Sequence, residues 1–273
     1  MIGPVVEFPW LKQHQDEIVI ADVRWYLDGR SGKEAYENGH IPGSVFIDLD
    51  RYLSDKPSPS NGRHPLPSSE KFAASMALIG VSNTDTVIAY DDAGGVIAAR
   101  LVWMLRVTGH DAALLDGGLR AYEGPLEVGT TTRPPGTFDV RPWPTERLAG
   151  ISDAINRANV VLDARNRDRY RGDFDPVDPR SGHIPGARNV PCRENLTEAG
   201  TFLPVDEIRQ KFVDAGVVDG DQAISYCGSG VTACHNLLAL ELTGLGRGRL
   251  YPGSWSQYSH VTDHPVATGD SPG

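Results

Sequence analysis

The stretch "QAISYCGSGVTACHNLLALEL", residues 222–242, reads as a short apolar strand, a glycine-bounded loop headed by Cys227, and an apolar helix. Strand, small-residue loop and helix in that order are the unit of a parallel α/β sheet, where sites lie beyond the carboxyl ends of the strands. The same order occurs earlier in the chain. "TVIAYDDAGGVIAARLVWML", residues 86–105, aligns with it, has one extra residue in the loop, and carries Asp91 where the later copy has Cys227.

Working outward from these two stretches, more pairs appear. "GHIPGS" at 39–44 returns as "GHIPGA" at 182–187, "ADVR" at 21–24 as "LDAR" at 162–165, and "LLDGGLRAY" at 114–122 as "LYPGSWSQY" at 250–258. The order is kept and the offset stays near about 140 residues, far longer than a solenoid repeat, so the chain is a duplicated domain. Between the copies, "EVGTTTRPPGTFDVRPWPT" at 127–145 has four prolines and no helical periodicity, and reads as an extended linker. The expected organisation is a half at 1–125 that lacks the cysteine, a linker at 126–145, and a catalytic half at 146–273. Each half is expected to hold a mostly parallel central sheet with helices on both faces, because its strands are continuous apolar runs. In the second half the strands fall in "NVVLDA", "QAISY" and "GRLY". The helices fall in "VDEIRQKFVDAG", which ends at Gly216, and in "VTACHNLLALELTG".

Composition narrows the function. A net charge of −10 argues against a nucleic-acid surface, and 40% hydrophobic with 23% charged residues is the balance of an ordinary globular protein. No apolar run reaches the roughly 20 residues that a membrane helix needs, and the N-terminus has no signal-peptide pattern. Three cysteines in 273 residues form neither a disulfide framework nor a zinc pattern, so free thiols in a reducing cytoplasm are expected.

The loop after Cys227 has a chemical reading. Gly228 and Gly230 let the backbone curl with its N–H groups inward, and the following helix turns its positive end to the same place. Such a cradle stabilises an anion and acidifies a thiol. A small buried cysteine beside a turn is the bland alternative. The repeat decides between them: the framework occurs twice and only once with a cysteine, so the fold does not require it.

With "GHIPG" twice, "LDAR…RYRG…DPR", "CGSGVTAC" and "GSW" after the last strand, the chain resembles the two-domain rhodanese family of sulfurtransferases from about residue 5 to residue 265. Thiosulfate-type members carry cationic residues after the cysteine. The neutral Gly-Ser pair here is similar to the 3-mercaptopyruvate subgroup. The resemblance implies that Cys227 takes a sulfur from 3-mercaptopyruvate as a persulfide and passes it to a thiol, thioredoxin or cyanide. It implies Arg169 of "RYRG" and Arg180 of "DPR" as a bidentate clamp on the substrate carboxylate. It also implies a Ser229–His64–Asp50 set, in which Asp50 orients His64 and His64 polarises Ser229. Gly228, Gly230, Val231 and Thr232 complete the cradle. No metal or organic cofactor, nucleic acid or membrane partner is implied, and a monomer suffices.

Other residues are expected to be structural. His40 and His183 recur in both halves while chemistry is expected in one, so both read as turn architecture. Arg165 is expected to pair with Asp163. Cys234 is expected to be a core residue two helical turns past Cys227, and Trp255 to pack at the edge of the site. Cys192 is expected to be partly exposed, with an open role. Two other functions compete. A cysteine phosphatase needs an arginine six residues after the nucleophile, where Ala233 stands. A non-enzymatic binding module explains only the half without a cysteine. Thiosulfate is the rival sulfur donor.

Overall fold

Short apolar strands, each followed by a helix, close into two parallel sheets in a computed structural model that describes all 273 residues. The chain divides into two compact units. The first comprises Met1–Asp55, Leu66–Trp143 and Leu196–Phe202, and the second Lys56–Pro65, Pro144–Asn195 and Leu203–Gly273. Two short segments therefore fold with the unit to which they do not belong in sequence.

In the first unit the order is β1 (Val5–Val6), α1 (Phe8–His14), β2 (Ile18–Asp22), α2 (Gly32–Asn38), β3 (Val45–Phe46), α3 (Leu49–Tyr52), α4 (Ser69–Ile79), β4 (Thr86–Tyr90), α5 (Ala99–Val107) and β5 (Ala112–Leu115). Its sheet order is β1-β5-β4-β2-β3, with every pair parallel. All five residues of β2 are buried, which explains its unbroken apolar run in place of alternation. Leu11, Ile20, Ile41, Ile88, Tyr90 and Leu115 form one side of the core. The proline-rich stretch lies along this unit as extended chain. Arg133 Nε donates to the Gly80 carbonyl, Asp139 N–H to Asn83 Oδ1, and Trp143 Nε1 to the Pro67 carbonyl.

The second unit runs α6 (Ile151–Ile155), β6 (Val161–Asp163), α7 (Arg167–Arg171), β7 (Arg188–Asn189), α8 (Val205–Asp214), β8 (Ile224–Tyr226), α9 (Ala233–Leu242), β9 (Arg249–Leu250) and α10 (Ser254–Tyr258). Its sheet is parallel throughout, in the order β7-β6-β8-β9. Leu148 bridges Leu250 in parallel at the open edge, in the place β1 takes in the first sheet, so the strand order repeats. The helix expected to stop at Gly216 ends at Asp214, and the Gly216 N–H returns to the Val213 carbonyl. No helix is long and apolar enough to cross a membrane.

The duplication extends to buried polar pairs. Asp22 and Arg24 form a bidentate pair whose Nη2 also reaches the Gly39 carbonyl, and Asp163 and Arg165 do the same with Gly182. His40 stacks on Tyr36 with ring centroids 4.0 Å apart and bonds its carbonyl through Nδ1; His183 does so on Tyr170 at 3.7 Å. Both histidines are fully buried in the turn they brace, where Gly43 and Gly186 take φ of 78° and 93°. They serve as architecture in both units.

Candidate active site

Strand β8 stops at Tyr226 and delivers Cys227 to the carboxyl edge of its sheet, with only 2% of its surface exposed. The main chain is held on both sides: the Cys227 N–H donates to Ser254 Oγ at 3.2 Å, and its carbonyl accepts the Trp255 N–H at 3.0 Å. The loop then folds back so that the Gly230 N–H donates to Cys227 Sγ at 3.1 Å. Gly230 has φ of 77°, and a methyl group there would lie 2.6 Å from the Pro252 carbonyl oxygen, so glycine is required. Val231 and Thr232 form the turn leading into α9, accepting the N–H groups of Cys234 and His235 through their carbonyls. No side chain caps that helix start, which leaves its N–H groups available to an anion.

The first unit contains a filled version of the same loop. Asp91 occupies the cysteine position, and its carboxylate accepts the N–H groups of Ala93, Gly95, Ile97 and Ala98 at 2.7–2.9 Å. The folded loop is thus an anion cradle, and one copy carries its own anion.

Ser229 and His64 are brought together as expected, with His64 Nδ1 2.7 Å from Ser229 Oγ and both residues buried. His64 reaches this loop because its segment folds with the second unit. The Arg63 N–H donates to Ser256 Oγ at 3.0 Å, and Gln257 Nε2 donates to the Ser60 carbonyl. Asp50 lies in the first unit at the start of α3 and accepts Trp25 Nε1 at 3.0 Å.

The arginines differ from expectation. Arg169 is beside the loop, but its Nε and Nη2 are committed to Asp175, and Nη2 also to Asp178. Its side-on fork is therefore occupied, and Nη1 is the nitrogen that faces Gly228, 3.2 Å from where a methyl group on that residue would sit. The second cation there is Arg63, whose Nη2 lies 3.1 Å from the same point and whose Nη1 binds Asp178. Arg180 is a correction to the expected clamp: its guanidinium donates to the carbonyls of Tyr258, Ser259, Val261 and His264 at 2.7–2.8 Å, which ties down the end of α10. Four of its five donors are spent on main chain. Arg63 gave no signal in sequence beyond its place next to His64.

Cys234 is core as expected, fully buried, with its thiol on the Gly230 carbonyl. Cys192, expected to be partly exposed, is only 2% exposed. Burial pushes its thiol up to about 12, against the pull of the Arg193 charge, so it stays neutral at ordinary pH. Trp255 is fully buried below the loop, with the Arg165 guanidinium over its ring at 4.6 Å and its Nε1 on the Arg180 carbonyl. Ser254 was missed. It is the one non-glycine with positive φ, 52°, and it corresponds to Gly118 of the first copy. Its hydroxyl donates to the Tyr251 carbonyl at 2.8 Å while accepting the Cys227 N–H. The strained backbone there is offset by positioning the cysteine.

Comparison with known proteins agrees with the two-unit fold. The rhodanese-like domain model matches residues 7–124 and again 147–260. A Pseudomonas aeruginosa protein named "Probable 3-mercaptopyruvate sulfurtransferase" is 39% identical, over 94% of this chain and 94% of its own. The Arabidopsis thaliana thiosulfate/3-mercaptopyruvate sulfurtransferase 2 is 32% identical over 98% of this chain and 87% of its own. Among solved structures, the 3-mercaptopyruvate sulfurtransferase from Leishmania major superposes with a TM-score of 0.87 at 30% identity, covering 97% of this chain and 76% of that one. With two matched domains and these relatives, the chain belongs to the rhodanese family.

Proposed function

We propose that the chain is a sulfurtransferase that takes sulfur from 3-mercaptopyruvate onto Cys227 and hands it to a thiol. The observation that carries this reading is the Ser229–His64 pair, 2.7 Å apart and buried in the cysteine loop. It supplies what this donor needs, because a proton must leave the donor's thiol and arrive on carbon.

The electron count shows why. Cys227 Sγ attacks the donor's sulfur, an S–S bond forms, and the C–S bond breaks with its electron pair on carbon as the enolate of pyruvate. The proton from the donor's thiol ends on that carbon. Ser229, held by His64, is placed to relay it. The resemblance adds Asp50 as the carboxylate of the set. The donor's carboxylate is taken by the nitrogens at Gly228, which favours a monodentate contact from Arg169 Nη1 over the expected bidentate clamp. In the second half-reaction an acceptor thiolate attacks the outer sulfur, and the S–S electron pair returns to Sγ. A small thiol or thioredoxin in the cytoplasm is the proposed acceptor.

The test is intact-mass analysis after incubation with 3-mercaptopyruvate alone. The expected result is a gain of one sulfur atom on the wild type, with stoichiometric pyruvate, and no gain on Cys227→Ser. Full sulfur transfer to a dithiol by Cys227→Ser would overturn the reading.

A further inference from the structure

We propose that Ser256 is the positioning residue of the proton relay, setting the distance between Ser229 and His64 by holding the residue before each, with Gln257 as a second latch on the same segment. The inference rests on the relay proposed above and adds to it the residue that keeps its two members in register.

The relay joins two stretches far apart in sequence. Ser229 belongs to the cysteine loop, and His64 to the segment 56–65 that folds with the same unit. That segment has little apolar anchorage of its own, for Lys56, Pro57, Pro59, Ser60 and Asn61 are exposed. Its tip closes on itself, the Gly62 N–H donating to the Ser58 carbonyl at 2.8 Å. Helix α10 docks it. The Ser256 N–H donates to the Gly228 carbonyl at 2.8 Å, and Ser256 Oγ accepts the Arg63 N–H at 3.0 Å. Gly228 immediately precedes Ser229, and Arg63 immediately precedes His64. The same hydroxyl donates to the Gly253 carbonyl at 3.1 Å, which fixes the χ1 of a residue only 2% exposed. The separation of the two anchoring atoms is then set by the covalent geometry of one side chain. Gln257 adds a second tie: its Nε2 donates to the Ser60 carbonyl, while its Oε1 accepts Tyr251 Oη at 2.7 Å. The approach is close, since a methyl group on Gly62 would lie 2.6 Å from the Gly253 carbonyl oxygen and 2.9 Å from Ser256 Oγ.

The duplication supplies a control. The Leu119 N–H reaches the Asp91 carbonyl as the Trp255 N–H reaches that of Cys227, so this main-chain link is common to both units. The side-chain latches are not. Arg120 and Ala121 stand where the second copy has Ser256 and Gln257. In the first unit the segment Leu196–Phe202 is fastened through the Phe202 N–H on Asp116 Oδ1 at 2.8 Å. The Ser256 and Gln257 latches therefore accompany the unit that has a proton to move. Proton transfer needs its heavy atoms within roughly 2.6–3.2 Å, and a misplacement of about 1 Å can cost about 100-fold in rate. A hydroxyl that fixes one relay member against the other acts on the rate and leaves donor affinity alone.

The experiment is single-turnover pyruvate release from 3-mercaptopyruvate by the wild type, Ser256→Ala, Ser229→Ala and the double variant, each over a range of donor concentrations. The expected result for Ser256→Ala is a maximal rate lower by about five- to tenfold, in line with loss of one hydrogen bond, with the half-saturating concentration changed by less than about twofold. In the Ser229→Ala background the same substitution should change the rate by less than about twofold, because the relay it serves is gone. Gln257→Leu should show the same pattern at about two- to fivefold, and serves if Ser256→Ala does not fold. No fall in the maximal rate of the folded variants, or a fall that multiplies with that of Ser229→Ala, assigns the latch to structure alone and overturns the proposal while leaving the relay intact. A Ser229→Ala enzyme at the wild-type rate would instead refute the relay itself, and the positioning role with it.

Discussion

The two glycines in the cysteine loop, Gly228 and Gly230, should fail in different ways when given a methyl group. At Gly230 the methyl meets main chain, 2.6 Å from the Pro252 carbonyl oxygen, on a backbone with φ of 77°. The left-handed conformation costs a residue with a Cβ about 1–2 kcal/mol, and the clash adds to it because a carbonyl in a turn cannot swing away. Gly230→Ala should therefore lose at least about 2 kcal/mol, which lowers the thermal midpoint of a chain this size by roughly 4 °C or more. It should also lose activity with every donor, since the N–H that reaches Cys227 Sγ moves. At Gly228 the φ is ordinary and the nearest atoms are the tips of two arginine side chains, 3.1 and 3.2 Å away. Those tips can shift by a few tenths of an ångström, so Gly228→Ala should change stability by less than about 1 kcal/mol. The methyl does occupy the space where the donor's anionic group would meet the two cations. Weakening one charge-assisted contact of about 1.5–3 kcal/mol corresponds to a fall of about 10- to 100-fold in kcat/KM. The assay is thermal and urea unfolding of both variants beside their donor kinetics. If Gly228→Ala unfolds as readily as Gly230→Ala, or keeps wild-type kcat/KM with both donors, the account of this loop is wrong.

Three further outcomes can be checked. Ser229→Ala should lower kcat with 3-mercaptopyruvate by about 10²–10³, the usual worth of a placed proton carrier, and spare thiosulfate; equal losses in parallel assays would count against the proton relay. Arg165→Met strands the buried Asp163 carboxylate, whose two oxygens accept from Arg165 at 2.7–3.1 Å, and should cost about 3–5 kcal/mol in urea unfolding; a loss under about 1 kcal/mol would contradict the pairing. His110 is 2% exposed and stacked on Phe138, and burial, aided by the Arg141 charge, lowers it from 6.5 to about 4. The unfolded chain then takes up a proton in that window while the native one does not. Stability from this group is present above pH 6.5 and is lost as pH falls toward about 4, by about 3 kcal/mol in all. The pH-dependent difference between wild type and His110→Gln in urea unfolding measures it, and parallel curves would refute it.

The parallel sheets and the cysteine loop were legible because their signals are local. Buried parallel strands are apolar throughout, and the strand–loop–helix unit spells itself twice. Pairing Asp163 with Arg165 was legible for the same reason, since the partners lie two residues apart. Most of the misreadings involve partners distant in the chain. Arg180 and Arg169 look alike as loop cations, yet one ties carbonyls some 80 residues away and the other faces the nucleophile. Arg63 acquires its meaning from Asp178, 115 positions on. The burial of Cys192 depends on what covers "NVPCREN", which its own residues do not announce. Polar, proline-rich "KPSPSNGRHP" at 56–65 has no periodicity to say with which unit it folds.

The carboxylate of Asp91 gives its loop a permanent occupant, tied to the chain and bonded to four N–H groups. The corresponding loop around Cys227 gains its second acceptor only when a sulfur atom is added, and gives it up at every turnover. Loading is thereby a stabilising event as well as a chemical one, because the added sulfur is met by loop N–H groups in the native state and by water alone in the unfolded chain. The cysteine-bearing unit should resist heat and proteases best when donor is plentiful and acceptor scarce. An enzyme waiting with its cargo is then the longer-lived form, while its sister loop, which never discharges, is indifferent to supply.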